Sequence, residues 1–351
     1  MQRRKFLTTI SLSALASTLP YSNIFSKNEK LNNRSFIIKP EKLNEGDTLG
    51  LIAPGSFISQ AELDESIANL EQLGFKVKFN KTILDKSGYL AGKDKVRAAD
   101  INMMFADKNV KGIICARGGY GCNRILPLLD YDTIRNNPKV LCGYSDITSL
   151  ISAIFSKTGL VGFHGPVGIS TFNDFSVKYF KDVLMSTKSN VVLKSAVEET
   201  DNTDYDRYTI RSGTAEGILV GGNLSILASL LGTPYDMNYD NKIIYLEEVG
   251  EEPYRVDRML TELMLAGKFK HASGIAIGVF KNCEPRKRNA SFSSSFSLKE
   301  VLFDRLFDLG IPVVYGLSFG HITNKFTLPT GINARLNVTE QTITLLESSV
   351  T

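Results

Sequence analysis

The chain has 351 residues, room for about two domains of ordinary size. Hydrophobic residues make up 43% and charged residues 22%, so a packed core is expected and a disordered chain is excluded. The net charge of +4 comes from scattered lysines and arginines without a basic run, and tryptophan is absent, which together argue against a nucleic-acid partner.

In chain order, the first segment reads as an export signal. MQRRKFLTTISLSALAST joins a basic start, a moderately apolar stretch and a small-residue site at Ala14-Leu15-Ala16. Arg3-Arg4-Lys5-Phe6-Leu7 resembles the twin-arginine signal, so residues 1–26 are expected to direct the chain to the periplasm. The stretch is too short and too rich in Ser and Thr for stable membrane insertion, and no cysteine follows closely enough for a lipid anchor.

Beyond it, TLGLIA at 48–53 predicts a strand stopped by Pro54-Gly55. Leu63, Ile67, Leu70 and Leu73 then recur at helical spacing, with Gly74 as the C-cap. A second strand is predicted at 75–79, a helix at 96–105, and short buried strands at 112–116 and 140–142. This alternation predicts an α/β unit over 34–189 with a mainly parallel sheet covered by helices. The polar, acidic run EETDNTDYDRY marks 190–213 as a linker. A second unit over 214–347 opens with a strand, Gly221-Gly222-Asn223 and a short helix, followed by the strand KIIYLEEV. Val256, Met259, Leu260 and Leu263 make 255–265 amphipathic, and 274–280 is a further strand. Ser297 and Glu300 match a capping box ahead of a helix running to 309, and 311–346 reads as strands and turns. The four cysteines, Cys115, Cys122, Cys142 and Cys283, are read as buried free thiols. Three histidines without a CxxC pair make a structural zinc site improbable, and no cofactor is expected.

Chemistry is concentrated in a few stretches. VLCGYSDITSLISAIF has the order of a nucleophile elbow, with a strand, a tight turn carrying Ser145, and a helix. Ile147 stands where the usual pattern has its second glycine, so the motif alone favours Ser145 as a helix N-cap over a nucleophile. A serine nucleophile requires a base. His271 among lysines reads as a solvated charge, His164 in GFHGP as either a site or a core residue, and His321 in LSFGH as a functional loop residue. Glu247 and Glu248 point to opposite faces of a strand, and either could orient an imidazole. The turn ARGGYG at 116–121 lacks the spacing of a dinucleotide fingerprint or a P-loop, yet its amides could line an oxyanion site.

In order, IAPGS, RGGYG, GYSDIT, FHGP, GGNLS, LEEVGEEPYRVDRML and GHITNKFTLPTG resemble the LD-carboxypeptidase family over 43–336. The resemblance implies a layered N-terminal α/β domain, a β-rich, barrel-like C-terminal domain with helices, and an active site between them. It implies a triad of Ser145 as nucleophile, Glu247 as orienting acid and His321 as base, with backbone amides near Asp146 and Gly119 as the oxyanion hole. Glu248 stands where many relatives have Asp, which leaves the orienting acid open between the two glutamates. The implied reaction removes terminal D-alanine from a murein tetrapeptide or disaccharide-tetrapeptide, at its bond to an L-centred diamino acid, without a metal. A carboxypeptidase must also read a free carboxylate, for which Arg117 is the candidate and an ordinary ion pair the alternative. Two other functions are open: a microcin-immunity-like peptidase of peptidyl or aminoacyl nucleotides, against which the export signal argues, and a non-catalytic muropeptide-binding protein, which has no need of the full Ser, Glu and His set. The oligomeric state is left open, a homodimer included.

Overall fold

The computed structural model describes residues 37–198, 200–286 and 288–351, so the export-signal reading of 1–26 lies outside the described residues. Short runs without room for a helix become the parallel strands of a first sheet: β1 (Thr48–Ile52), β2 (Lys76–Lys78), β3 (Gly112–Cys115), β4 (Val140–Gly143) and β5 (Gly162–His164). All residues of β3 and β4 are buried, as expected for strands covered on both faces. The crossovers are helical: α1 (Gln60–Gln72), α2 (Asp94–Ala106), α3 (Tyr131–Asn136) and α4 (Thr148–Thr158), with α5 (Asp174–Leu184) leaving β5. A capping box that the sequence reading overlooked starts α1: Ser59 accepts from the Glu62 amide while Glu62 accepts from the Ser59 amide.

The second sheet holds β6 (Val191–Lys194), β7 (Tyr208–Arg211), β8 (Thr214–Asn223), β9 (Lys242–Val249), β10 (Gly274–Lys281) and β11 (Val313–Leu317). After β12 (Leu328–Thr330) come its last members, β13 (Asn333–Asn337) and β14 (Thr342–Leu345). Strand order is β6-β14-β13-β8-β9-β10-β11-β7, with β8 to β11 parallel. Their crossovers are α6 (Leu224–Ser229), α7 (Pro253–Leu265) and α8 (Leu298–Leu306). The sheet is therefore open, and the barrel-like expectation is corrected. Helices bury Val256, Leu260, Leu263 and Leu302 against Ile244, Leu246 and Ile275 on one face. On the other face Leu219, Ile243 and Ala276 join a core shared with Leu49, Leu51, Ile114 and Phe180. With both faces covered, the sheet needs no closure to hide its apolar surface. The stretch 190–213, read as a linker, carries both edge strands, β6 and β7.

One crossing positions the site. β12 leaves the second half of the chain and pairs antiparallel with β5, Leu328 opposite His164, at the edge of the first sheet. The loop from β11 to β12 thus runs from one sheet to the other.

Candidate active site

Ser145 follows β4 through Tyr144 and has φ +65°, a left-handed conformation that a non-glycine residue adopts only under constraint. The helix-cap alternative does not hold. A 3-10 turn at Ser145–Ile147 leads into α4, and neither its N-cap, Tyr144, nor that of α4, Ile147, makes a side-chain cap bond. The hydroxyl is left at the strand-to-helix junction with no capping task.

The glycine-rich turn closes over this junction. A Cβ on Gly118 would stand 3.0 Å from Ser145 Cβ and 3.3 Å from the Asp146 nitrogen. Gly119 has φ +97° and a side chain there would meet Ser56 Oγ at 2.3 Å, so only glycine fits. The Asp146 carboxylate is buried and accepts from the Cys122 amide at 2.9 Å, stapling the turn to the elbow. Burial pushes this carboxyl above its ordinary pKa, with the Cys122 hydrogen bonds opposing. Among the described residues, the backbone amides of Asp146 and Gly119 find no backbone acceptor outside the regular elements.

Glu247 lies on β9, fully buried, with Oε2 2.7 Å from His321 Nδ1. Burial pushes its carboxyl up, but the charge and hydrogen bond of His321 outweigh this and hold it below the ordinary value. Glu248 faces the other way. It accepts from Asn223 Nδ2 at 3.2 Å, from the Ser225 amide at 2.8 Å, from Ser225 Oγ at 2.6 Å and from the Val249 amide at 2.8 Å. The alternation of the strand thus assigns the two acids different partners, and the one at the imidazole is Glu247. His321 sits on the crossing loop after Gly320, which has φ +109° and where an added Cβ would stand 3.0 Å from Glu247 Oε2, so a side chain there is strained. With Nδ1 engaged, Nε2 is the nitrogen left for proton transfer.

The His321 and Tyr144 rings meet in a T-shaped contact at 4.9 Å between centroids, which brings imidazole and elbow together. Ser145 Oγ and His321 make no direct hydrogen bond in this structure; such pairs often tighten only around a substrate. Thr148 Oγ1 accepts from the Asn223 amide at 3.0 Å, tying α4 to the end of β8. His164 is buried among Tyr144, Tyr245 and Phe319 with neither ring nitrogen partnered. Burial lowers its pKa to about 4, so it is neutral there. His271 is exposed in a turn before β10. Arg117 Nη1 is 3.1 Å from Glu62 Oε1, in the ion pair that was its alternative reading.

Sequence reasoning missed Lys325. It is 5% exposed, with Nζ 4.7 Å from the Tyr144 ring centre. Burial lowers its pKa to about 8, against the pull of Glu247. Nothing in HITNKFT marks this lysine as internal; only the course of the loop buries it. The cysteines are buried and free, and no cluster of His, Cys, Asp and Glu able to hold a metal occurs among the described residues.

Two family models match the chain: LD-carboxypeptidase N-terminal domain over 49–165 and LD-carboxypeptidase C-terminal domain over 216–336. A Bacillus subtilis relative named "Probable murein peptide carboxypeptidase" is 42% identical, covering 87% of this chain and 93% of its own length. A murein tetrapeptide carboxypeptidase of Pseudomonas aeruginosa is 31% identical over 82% of this chain and 92% of its own. Among solved structures, an MccF-like protein from Bacillus anthracis matches with a TM-score of 0.78 and 32% identity, covering 88% of this chain and 99% of that one.

Proposed function

The chain belongs to the LD-carboxypeptidase family, and from that premise we propose that it is a serine carboxypeptidase releasing terminal D-alanine from murein tetrapeptides. Ser145 Oγ attacks the carbonyl of the diamino acid, and His321 Nε2 takes the hydroxyl proton. Glu247 fixes the imidazole through Nδ1 and stabilises its charged form. The tetrahedral oxyanion is held by the Asp146 and Gly119 amides, aided by the positive end of α4. The imidazolium then returns its proton to the leaving nitrogen, and D-alanine departs. Water, deprotonated by the same imidazole, attacks the Ser145 ester and frees the tripeptide.

The observation that carries this reading is the buried Glu247 at 2.7 Å from His321, beside a serine held at φ +65°. The test is incubation of the protein lacking residues 1–26 with disaccharide-tetrapeptide, followed by mass spectrometry. Loss of one D-alanine with the wild type and none with Ser145→Ala is expected; an intact tetrapeptide sinks the substrate assignment. The likeness to an MccF-like structure supports a second reading, cleavage of peptidyl or aminoacyl nucleotides. Turnover of such a nucleotide alone, with the tetrapeptide untouched, selects it. Binding of the tetrapeptide with no turnover of either selects the muropeptide-binding reading. We also propose export to the periplasm by the twin-arginine-like segment, which Lys-Lys in place of Arg3-Arg4 should abolish in a fractionation assay.

A further inference from the structure

Lys325 is held in place by its surroundings. Its amide donates to Ser176 Oγ at 3.2 Å, and that hydroxyl donates to the Thr323 carbonyl at 3.1 Å. Asn173, the N-cap of α5, donates from Nδ2 to Asn324 Oδ1 at 2.6 Å. The side chain is driven inward by this anchored loop, yet its ammonium meets no carboxylate within ion-pair distance among the described residues. Glu247 engages His321 through Oε2, and its buried, unpartnered Oε1 lies beyond ion-pair distance of Lys325. The contrast with Lys139, another buried lysine, is direct: Lys139 Nζ donates to the Met104 carbonyl at 2.8 Å and to the Asp107 carbonyl. Besides the more distant pull of Glu247, only the face of Tyr144 meets the Lys325 ammonium among the described residues, and its hydrogen-bond donors are left for a ligand.

One ring relates this cation to the reaction centre. Tyr144 has Lys325 Nζ 4.7 Å from its centroid, the His321 ring 4.9 Å away, and Ser145 as its chain neighbour. In an extended peptide the terminal carboxylate lies about one residue, roughly 3.5 Å, beyond the scissile carbonyl. We propose that the Lys325 ammonium pairs with the free α-carboxylate of the substrate's terminal residue, restricting the site to the end of a peptide. The inference rests on the reading of Ser145 as nucleophile. It moves the carboxylate-reading task from Arg117, whose guanidinium is taken by Glu62, to a cation with no carboxylate of its own. With a pKa of about 8 the side chain is charged at neutral pH, as the task requires.

The experiment uses calorimetry on Ser145→Ala with a tetrapeptide ending in D-alanine and the same peptide ending in D-alaninamide. The acid should bind on the order of 10- to 100-fold tighter than the amide, the range of a hydrogen bond to a charged group. Adding Lys325→Met or Lys325→Gln should erase that difference, while Lys325→Arg keeps part of it. Near-UV circular dichroism identifies the folded neutral variant, and either one decides. Equal binding of acid and amide by Ser145→Ala, or a preference that survives in a folded neutral variant, overturns the proposal. Failure of the parent reading looks different: wild-type protein then releases no D-alanine although the Lys325-dependent preference for the acid persists.

Discussion

Glu247 and Glu248 are adjacent in sequence and separate in task, and the separation is measurable. Glu247→Gln keeps the shape but removes the charge that stabilises the imidazolium, so kcat should fall by about 10⁴-fold. Glu248→Gln instead weakens a buried set of four hydrogen bonds from Asn223, Ser225 and Val249. It should lower stability by about 1–3 kcal/mol in urea titration while leaving kcat within a few-fold. Reversed results would make Glu248 the orienting acid. His164 supplies a pH signature. Its pKa is about 4 when folded and 6.5 ordinarily, so the unfolded chain binds the proton first as pH falls through that window. Stability is therefore present above about 6.5 and lost progressively toward 4, by about 3 kcal/mol in all. Glu247, held below its ordinary value, adds its own loss only at lower pH. His164→Asn should flatten the slope between pH 6.5 and 4, whatever its absolute stability. Ser145, His321 and both glutamates were legible as chemical types; which acid faces the imidazole, and that Lys325 is internal, depends on tertiary placement that no local pattern encodes.

The strands and helices of the first sheet were legible because each carries its own signal. Apolar runs of strand length sit at 48–52, 112–115 and 140–143, and α1 ends at Gln72, with Leu73 as its C-cap and Gly74 following at φ +92°. The capping box at Ser297 and Glu300 was readable for the same reason. β6 and β7 are modest strand-like runs beside an acidic loop, but their place at the edges of the second sheet was not legible, because their pairing with β14 and β11 is long-range. The barrel-like expectation came from the family resemblance, and nothing local distinguishes an open sheet, covered by helices and a second core, from a barrel. The glycine turn is the element whose function depends most on its backbone. Gly119→Ala would force a Cβ against Ser56 and oppose φ +97°. Displacing one oxyanion donor should lower kcat by about 10²–10³-fold with little change in KM. A variant with unchanged kcat would remove Gly119 from the oxyanion site.

For residues 37–351, the two sheets share one apolar core, in which Leu49, Phe163 and Phe180 join Tyr245, Leu336 and Ile343. A single cooperative unfolding transition is therefore expected on heating, with circular dichroism and loss of hydrolysis tracking together. Two separated transitions would show that the halves are energetically independent. The return of β12 to β5 also carries a meaning in the order of synthesis. A chain that has emerged only as far as Thr327 already contains Ser145, Glu247 and His321, yet lacks the strand that seats the His321 loop on the first sheet. Hydrolytic competence should thus arrive abruptly, only once β12 has emerged and joined the first sheet. On the proposed reading of Ser145 as nucleophile, a growing chain would be spared its reactivity until the two sheets are joined.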